Sequence, residues 1–149
     1  MRNKLVLVSD LGCLKAYKVD YDELSTNPKV ELIEEVTTDE ADGRLSDKLT
    51  DQAGRFPGGE RGYHVVRANG ERHNITLELE RRAIGYLAGK VNHIVRNHEN
   101  EGRSVYLAAV KEINNQILNR LEPMVRMQIE KNVPEDLTKI RGTRLLQHF

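Results

Sequence analysis

The pattern of apolar and polar positions at the start of the chain predicts three strands. The apolar run at residues 5–8 is typical of a strand buried on both faces. Turn-forming residues follow at 9–12 and apolar positions resume at 14–19, so we expect the first two strands to form a hairpin. After a turn-rich loop, residues 30–36 show the mixed alternation of a third strand.

In the middle of the chain the apolar spacing changes to the helical period. From Leu77 to Val95, apolar residues recur at intervals of three and four, which predicts an amphipathic helix from Asn74 to about His98. Such a helix is about 35 Å long at ~1.5 Å per residue. The apolar run at 105–110 then predicts a central strand that is covered on both faces.

Three more elements follow this strand. Residues 113–121 have helical spacing and end before Pro123. The strict alternation at 125–130 is typical of a half-exposed strand. Asn132 is expected to cap a last helix, with Pro134 near its first turn.

This order, β-β-β-α-β-α-β-α, predicts an α/β fold. We expect a mixed central sheet of about five strands with flanking helices, in a single domain over residues 1–149. The regular pattern lapses at 37–73, which we interpret as a long Gly- and Arg-bearing loop region with a short helix near 45–51. Because glycines cluster within residues 52–70, we expect that stretch to be poorly ordered in the free protein.

Composition narrows the class of protein. The chain has 149 residues, of which 38% are hydrophobic and 31% charged. No apolar run approaches the roughly 18 residues of a membrane span, and the first residues lack the apolar region of a signal peptide. We therefore expect a cytoplasmic protein without a membrane partner. The lone Cys13 excludes an internal disulfide and is interpreted as a small core residue.

Sequence motifs give no support for a cofactor or metal. The chain lacks the dinucleotide glycine fingerprint, the Walker A loop, the HExxH zinc motif and the GxSxG nucleophile motif. His93 and His98 are five residues apart, which puts them on different faces of the predicted helix and makes a shared zinc ion unexpected. We therefore expect no cofactor, and a binding protein rather than an enzyme.

Charge is distributed unevenly although the net charge is zero. Residues 20–51 carry eleven acidic and three basic side chains, and residues 52–96 carry eight basic and four acidic ones. The two segments have two interpretations: solvated faces of a soluble protein, or an Arg-bearing segment that meets a polyanion.

The second interpretation centres on a Gly-rich, basic segment that leads into the predicted helix. Glycine allows backbone to approach a ligand closely, and arginine binds phosphate groups. The alternative is a surface loop whose arginines are merely solvated. The candidate RNA-binding and loop-tip residues are Arg55, Gly58, Gly59, Glu60, Arg61, Arg72, Arg81 and Arg82.

The chain resembles a bacterial family of proteins required for attachment to host cells, nearly from end to end. The resemblance rests on the opening strand at 5–10, on Gly43-Arg44-Leu45-Ser46-Asp47 leading to Gly54-Arg55-Phe56, and on residues 125–133 followed by Glu135-Asp136-Leu137-Thr138. That family is considered to share the fold of the middle domain of archaeal and eukaryotic class-1 peptide-chain release factors, an RNase H-like fold.

The release-factor resemblance implies a ribosome or tRNA partner. In those factors a Gly-Gly-Gln loop helps to hydrolyse peptidyl-tRNA, whereas the matching residues here are Gly58-Gly59-Glu60. The acid lacks the amide donor of glutamine. The resemblance therefore implies an RNA- or ribosome-associated factor in translation rescue or quality control, with a degenerate loop.

Two other functions remain open at this point. The first is a non-enzymatic protein-interaction module whose acidic segment meets a basic partner and which affects surface attachment indirectly. The second is a hydrolase in which Glu60, paired with His64 or His73, acts as a general base.

Overall fold

A computed structural model describes the backbone of residues 2–38 and 61–149, with side chains for residues 2–38 and 76–149. These residues form a five-stranded mixed sheet of order β3-β2-β1-β4-β5 with helices packed against it, which confirms the predicted α/β class. The strands are β1 (Lys4–Ser9), β2 (Cys13–Asp20), β3 (Lys29–Thr37), β4 (Ser104–Ala109) and β5 (Ile129–Val133).

The sheet contains both kinds of strand pairing. β1 and β2 form the predicted antiparallel hairpin, and β2 pairs antiparallel with β3. β1 pairs parallel with β4, and β4 pairs parallel with β5. The predicted apolar strand β4 thus has a strand on each side, although β1 occupies the middle position.

Within the described residues, three α-helices connect the later strands. They are α1 (Arg61–Asn97), α2 (Lys111–Arg120) and α3 (Pro123–Gln128), and short 3₁₀ helices occupy Glu99–Glu101 and Gly142–His148. At ~1.5 Å per residue α1 is about 55 Å long. The strands have at most nine residues, about 30 Å, and five of them span roughly 24 Å, so α1 exceeds both dimensions of the sheet.

Each face of the sheet has its own apolar core. On one face, α1, α2 and α3 bury the side chains of Leu87, Val91, Ile117 and Val125 against Leu5, Leu7 and Leu107. On the other face, residues 137–149 cover Val6, Val8 and Val19 with Leu137 and Leu145. The buried run of β1 therefore serves both cores, as the unbroken apolar sequence predicted.

The helix predicted from Asn74 begins earlier. α1 starts at Arg61, so residues 61–73 are helical rather than part of the predicted loop. Apolar periodicity marks a buried face, and the first buried side chain described on α1 is Ala83. Residues 61–73 show no regular helical spacing of apolar positions, so the pattern does not predict the start of the helix. Residues 39–60 lie outside the described residues. The short helix predicted at 45–51 and the poor order predicted for 52–60 fall in this segment and stay predictions.

Two predictions near the C-terminus are wrong. The strand predicted at 125–130 is helix α3 up to Gln128, and β5 starts only at Ile129. The helix predicted after Asn132 is absent from the described segment 134–141. There the Asp136 carboxylate accepts hydrogen bonds from the backbone N–H and hydroxyl of Thr138, at 3.1 and 2.6 Å. Such local bonds compete with helical hydrogen bonding.

Candidate functional site

Helix α1 presents two of the predicted RNA-binding arginines to solvent. The Arg81 and Arg82 side chains are 70% and 55% exposed. They directly precede Ala83 and Ile84, the first buried residues described on the helix. Arg81 and Arg82 therefore lie next to the part of α1 that is buried in the apolar core, and their side chains take no part in that core.

Glu78 is the acidic neighbour of both arginines. Its carboxylate oxygens lie 3.3 Å from Arg82 Nε and 3.8 Å from Arg81 Nη1. All three side chains are exposed, and ion pairs of this kind contribute only about 0–1 kcal/mol. Glu78 therefore holds the two guanidinium groups only weakly.

A hydrogen bond from α2 holds this part of α1 in place. Arg120 Nη1 donates a hydrogen bond of 2.7 Å to the backbone carbonyl of Arg81. Gly85 leaves room for that contact, because a Cβ there would lie 3.0 Å from Arg120 Nη1. The bond uses only the backbone of Arg81, so the Arg81 guanidinium takes no part in the contact with Arg120.

The C-terminal half of α1 is tied to the start of α3. Arg96 forms an ion pair with Glu122. The Glu122 backbone N–H also donates a 3.0 Å hydrogen bond to Asn92 Oδ1. Together with the buried Val91 and Ile94, these contacts fix the half of α1 that lies on the sheet.

The structure describes some of the remaining predicted site residues but not all of them. Arg61 and Arg72 belong to α1 together with Arg81 and Arg82, so four of the predicted arginines are on one helix instead of being split between a loop and a helix. Arg55, Gly58, Gly59 and Glu60 lie outside the described residues. His64 and His73, the suggested partners of Glu60, are also residues of α1.

The described cysteine and histidines do not form a reactive or metal-binding group. Cys13 is half-buried, and its burial together with the neighbouring Asp10 carboxylate raises the pKa of its thiol to about 11. His93 Nε2 is 3.1 Å from Asn97 Nδ2, and His98 Nδ1 is 3.0 Å from Glu101 Oε1. Within the residues that the structure describes, no three His, Cys, Asp or Glu side chains are grouped as metal ligands.

The acidic segment supplies one edge of the sheet. β3 is the outermost strand beside β2, so its other edge has no strand partner among the described residues. Glu31 and Glu35 are exposed on β3, and Leu32 between them is 46% exposed. This edge offers backbone hydrogen-bonding groups surrounded by negative charge.

A basic cluster near the C-terminus was missed by sequence reasoning. Lys139, Arg141, Arg144 and His148 are all exposed and line a single cleft. The available signal was the stretch 139–149, which contains three Lys or Arg residues and no acid. The surrounding apolar residues, Leu137, Ile140 and Leu145, have the spacing of a buried helix face, so the pattern predicts core rather than a binding surface.

Comparison with protein families shows to which family the chain belongs. The family model described as "Protein required for attachment to host cells" matches residues 5–149. The chain belongs to this family. The match covers β1 through the C-terminal 3₁₀ helix, and so includes both apolar cores and the basic cleft.

Further comparison adds little to this assignment. No curated protein matches the chain significantly. Across residues 2–38 and 61–149, no helix is long and apolar enough to cross a membrane. The functional interpretation of this attachment-family protein therefore depends on its surfaces.

Proposed function

We propose that this attachment-family protein is a release-factor-like, RNA-associated factor that acts on the ribosome or tRNA in translation rescue or quality control. The observation that supports this most directly is the exposure of Arg81 and Arg82, which directly precede the buried residues Ala83 and Ile84 on α1. Exposed arginines on a helix are well suited to phosphate groups, which supply most contacts between proteins and nucleic acids.

The charge of α1 supports the same proposal. Three acidic residues of the helix, Glu71, Glu78 and Glu80, stand against seven basic ones: Arg61, Arg67, Arg72, Arg81, Arg82, Lys90 and Arg96. Because the whole chain has no net charge, its overall field does not attract a polyanion. A local basic helix is therefore the feature that makes RNA binding feasible.

The release-factor likeness enters as part of this proposal. Glu60 stands where the release-factor loop has glutamine, so we propose binding without efficient peptidyl-tRNA hydrolysis. A carboxylate at this position repels RNA phosphates. A cytoplasmic location is also part of the proposal, because ribosomes and tRNA act there.

Salt-dependent binding tests the proposal. Association of the full chain with purified ribosomes, and separately with tRNA, is measured from about 50 to 200 mM salt. The Arg81→Gln/Arg82→Gln variant should bind more weakly to all RNA sequences, with a salt slope reduced by about two. Arg61→Ala should reduce the slope by about one, and Glu60→Gln should strengthen binding modestly.

A matched control separates these contacts from a general charge effect. Arg126 and Lys131 are exposed, and neither forms an ion pair with another described residue. Arg126→Gln/Lys131→Gln removes the same charge and should leave the salt slope unchanged. No association at low salt, or an equal loss in both double variants, would contradict the proposal.

The acidic edge of β3 favours a second candidate function, a protein-interaction module. An extended segment of a basic partner could pair with β3, with its cations beside Glu31 and Glu35. A photo-crosslinker at Leu32 should then give adducts that Glu31→Lys/Glu35→Lys removes, whereas the same probe at Met127 should not. Crosslinking that is equal at both positions would rule against this function.

A further inference from the structure

The C-terminal basic cluster surrounds an open cleft of about 550 Å³. This volume falls within the ~300–1,000 Å³ range of small-molecule sites. The cleft belongs to residues 137–149, which pack on the sheet face opposite α1. Its lining residues are Lys139, Ile140, Arg141, Arg144, Gln147 and His148.

Among the described residues, no acidic side chain lines this cleft. Lys139, Arg141 and Arg144 form no ion pair with any acid in the described part of the chain. His148 is the exception, because its Nδ1 lies 3.4 Å from Glu135 Oε2 at the margin. Three permanent positive charges that share one cleft repel each other, and an anionic ligand relieves that repulsion.

The backbone around the cleft is held by contacts that need no ligand. Leu137 comes just before the cleft residues in the sequence and Leu145 lies among them, and both are fully buried in the core on the sheet face opposite α1. Lys15 Nζ donates a 3.0 Å hydrogen bond to the Thr138 carbonyl, which fixes the segment to β2. Gly142 turns the chain with a φ of +61°, a conformation that side chains disfavour. The cations are therefore attached to a preformed frame.

We propose that this cleft binds a small ligand with two or more phosphate groups, such as a nucleoside di- or triphosphate. One guanidinium group donates two parallel hydrogen bonds to a pair of phosphate oxygens. The positive charges of Arg141, Arg144 and Lys139 together match the negative charge of two or three phosphate groups. Ile140 and Gln147 offer an apolar contact and an amide for the rest of the ligand.

A compact polyphosphate fits this cleft better than RNA does. RNA distributes one charge per phosphate along an extended strand, whereas a di- or triphosphate places its charges within a few ångströms. The cleft is also separate from the proposed RNA-facing surface, because α1 packs on the opposite face of the sheet.

Calorimetric titration with inorganic tripolyphosphate, and then with ATP, tests the proposal on the full chain. The wild type should bind both probes with a Kd below about 1 mM. Arg141→Gln/Arg144→Gln should weaken binding at least tenfold, and Lys139→Gln should weaken it further. The substituted side chains are exposed, so circular dichroism should show an unchanged fold.

A matched control makes the result decisive. Arg126→Gln/Lys131→Gln removes equal charge from outside the cleft and should leave both affinities unchanged. Absence of wild-type binding, equal weakening by the control, or a cleft variant that alters only RNA association would overturn the proposal. Loss of the proposed ribosome binding alone would leave it intact.

Discussion

Arg103 Nη1 donates a 2.7 Å hydrogen bond to Asp20 Oδ1, an ion pair that joins the residue before β4 to the last residue of β2. The same guanidinium donates through Nε to Glu101 Oε2 at 2.6 Å. Its Nη1 also approaches the backbone carbonyl of Val19 at 3.4 Å. With a side chain only 11% exposed, Arg103 closes the end of the sheet where β1, β2 and β4 meet.

Loss of this guanidinium should destabilise the fold. Arg103→Ala leaves Asp20 and Glu101 without their shared partner, and we expect the free energy of unfolding to fall by about 2–3 kcal/mol. Urea denaturation measures the change. Arg126→Ala, an exposed arginine on α3, should cost less than about 0.5 kcal/mol. Equal losses in the two variants would show that Arg103 contributes no more than a surface residue.

Glu101 should make stability depend on acid pH. Hydrogen bonds from His98, Arg103 and Lys18 lower the pKa of its carboxyl from 4.5 to about 2. A lowered folded-state pKa stabilises the fold above pH 4.5, and the contribution is lost as the pH falls toward 2. Because Glu101 is 35% exposed, solvent screening limits this contribution to about 1 kcal/mol.

The Glu101→Gln variant isolates this contribution. Its deficit in unfolding free energy relative to the wild type should be full at pH 7 and fall to less than half by pH 3. Chemical denaturation at both pH values measures it. A deficit that stays constant between them would contradict the lowered pKa.

The two glycines on α1 should respond differently to alanine. Apart from the neighbouring backbone of α1, no described atom lies within 4 Å of a Cβ at Gly89, so Gly89→Ala should gain the helix preference of about 0.8–1.0 kcal/mol. At Gly85 the new Cβ would lie 3.0 Å from Arg120 Nη1 and disturb its bond to the Arg81 carbonyl. Gly85→Ala should therefore gain less than Gly89→Ala in thermal unfolding. An equal gain would mean that the Arg120 contact is unimportant.

Cys13 should react slowly with alkylating reagents in the folded protein. Its thiol pKa rises from 9.0 to about 11, which lowers the thiolate fraction at neutral pH by about 100-fold. The rate of iodoacetamide modification should rise with pH toward a midpoint near 11. The urea-unfolded chain serves as control and should show an ordinary thiol midpoint. Identical profiles in the two states would contradict the prediction.

The sheet was predictable from sequence because its signals are strong and local. The apolar run of β1 and the Ser9–Gly12 turn predicted the hairpin, and the run at β4 predicted an interior strand. The error at α3 has a physical reason: Val125 is the single buried side chain of that six-residue helix, and so short a segment shows no helical period. Alternating polarity there resembled a strand.

The candidate site was less predictable than the fold. The exposure of Arg81 and Arg82 follows from the periodicity of α1, so the sequence could predict that both side chains lie on the surface. The basic cleft depends on how residues 137–149 fold back across the sheet. That path is set by long-range contacts such as Lys15 with Thr138, which no local pattern reveals.

Leu137 and Leu145 cover Val6 and Val8, so the core on this face of the sheet can form only after residues 137–149 have been synthesised. A ribosome makes β1 first, and the apolar side chains that cover this face follow more than a hundred residues later. At roughly 5–20 residues per second, that face stays uncovered for about 7 to 26 seconds. During synthesis this face of β1 is therefore exposed apolar surface, which favours aggregation until residues 137–149 cover it.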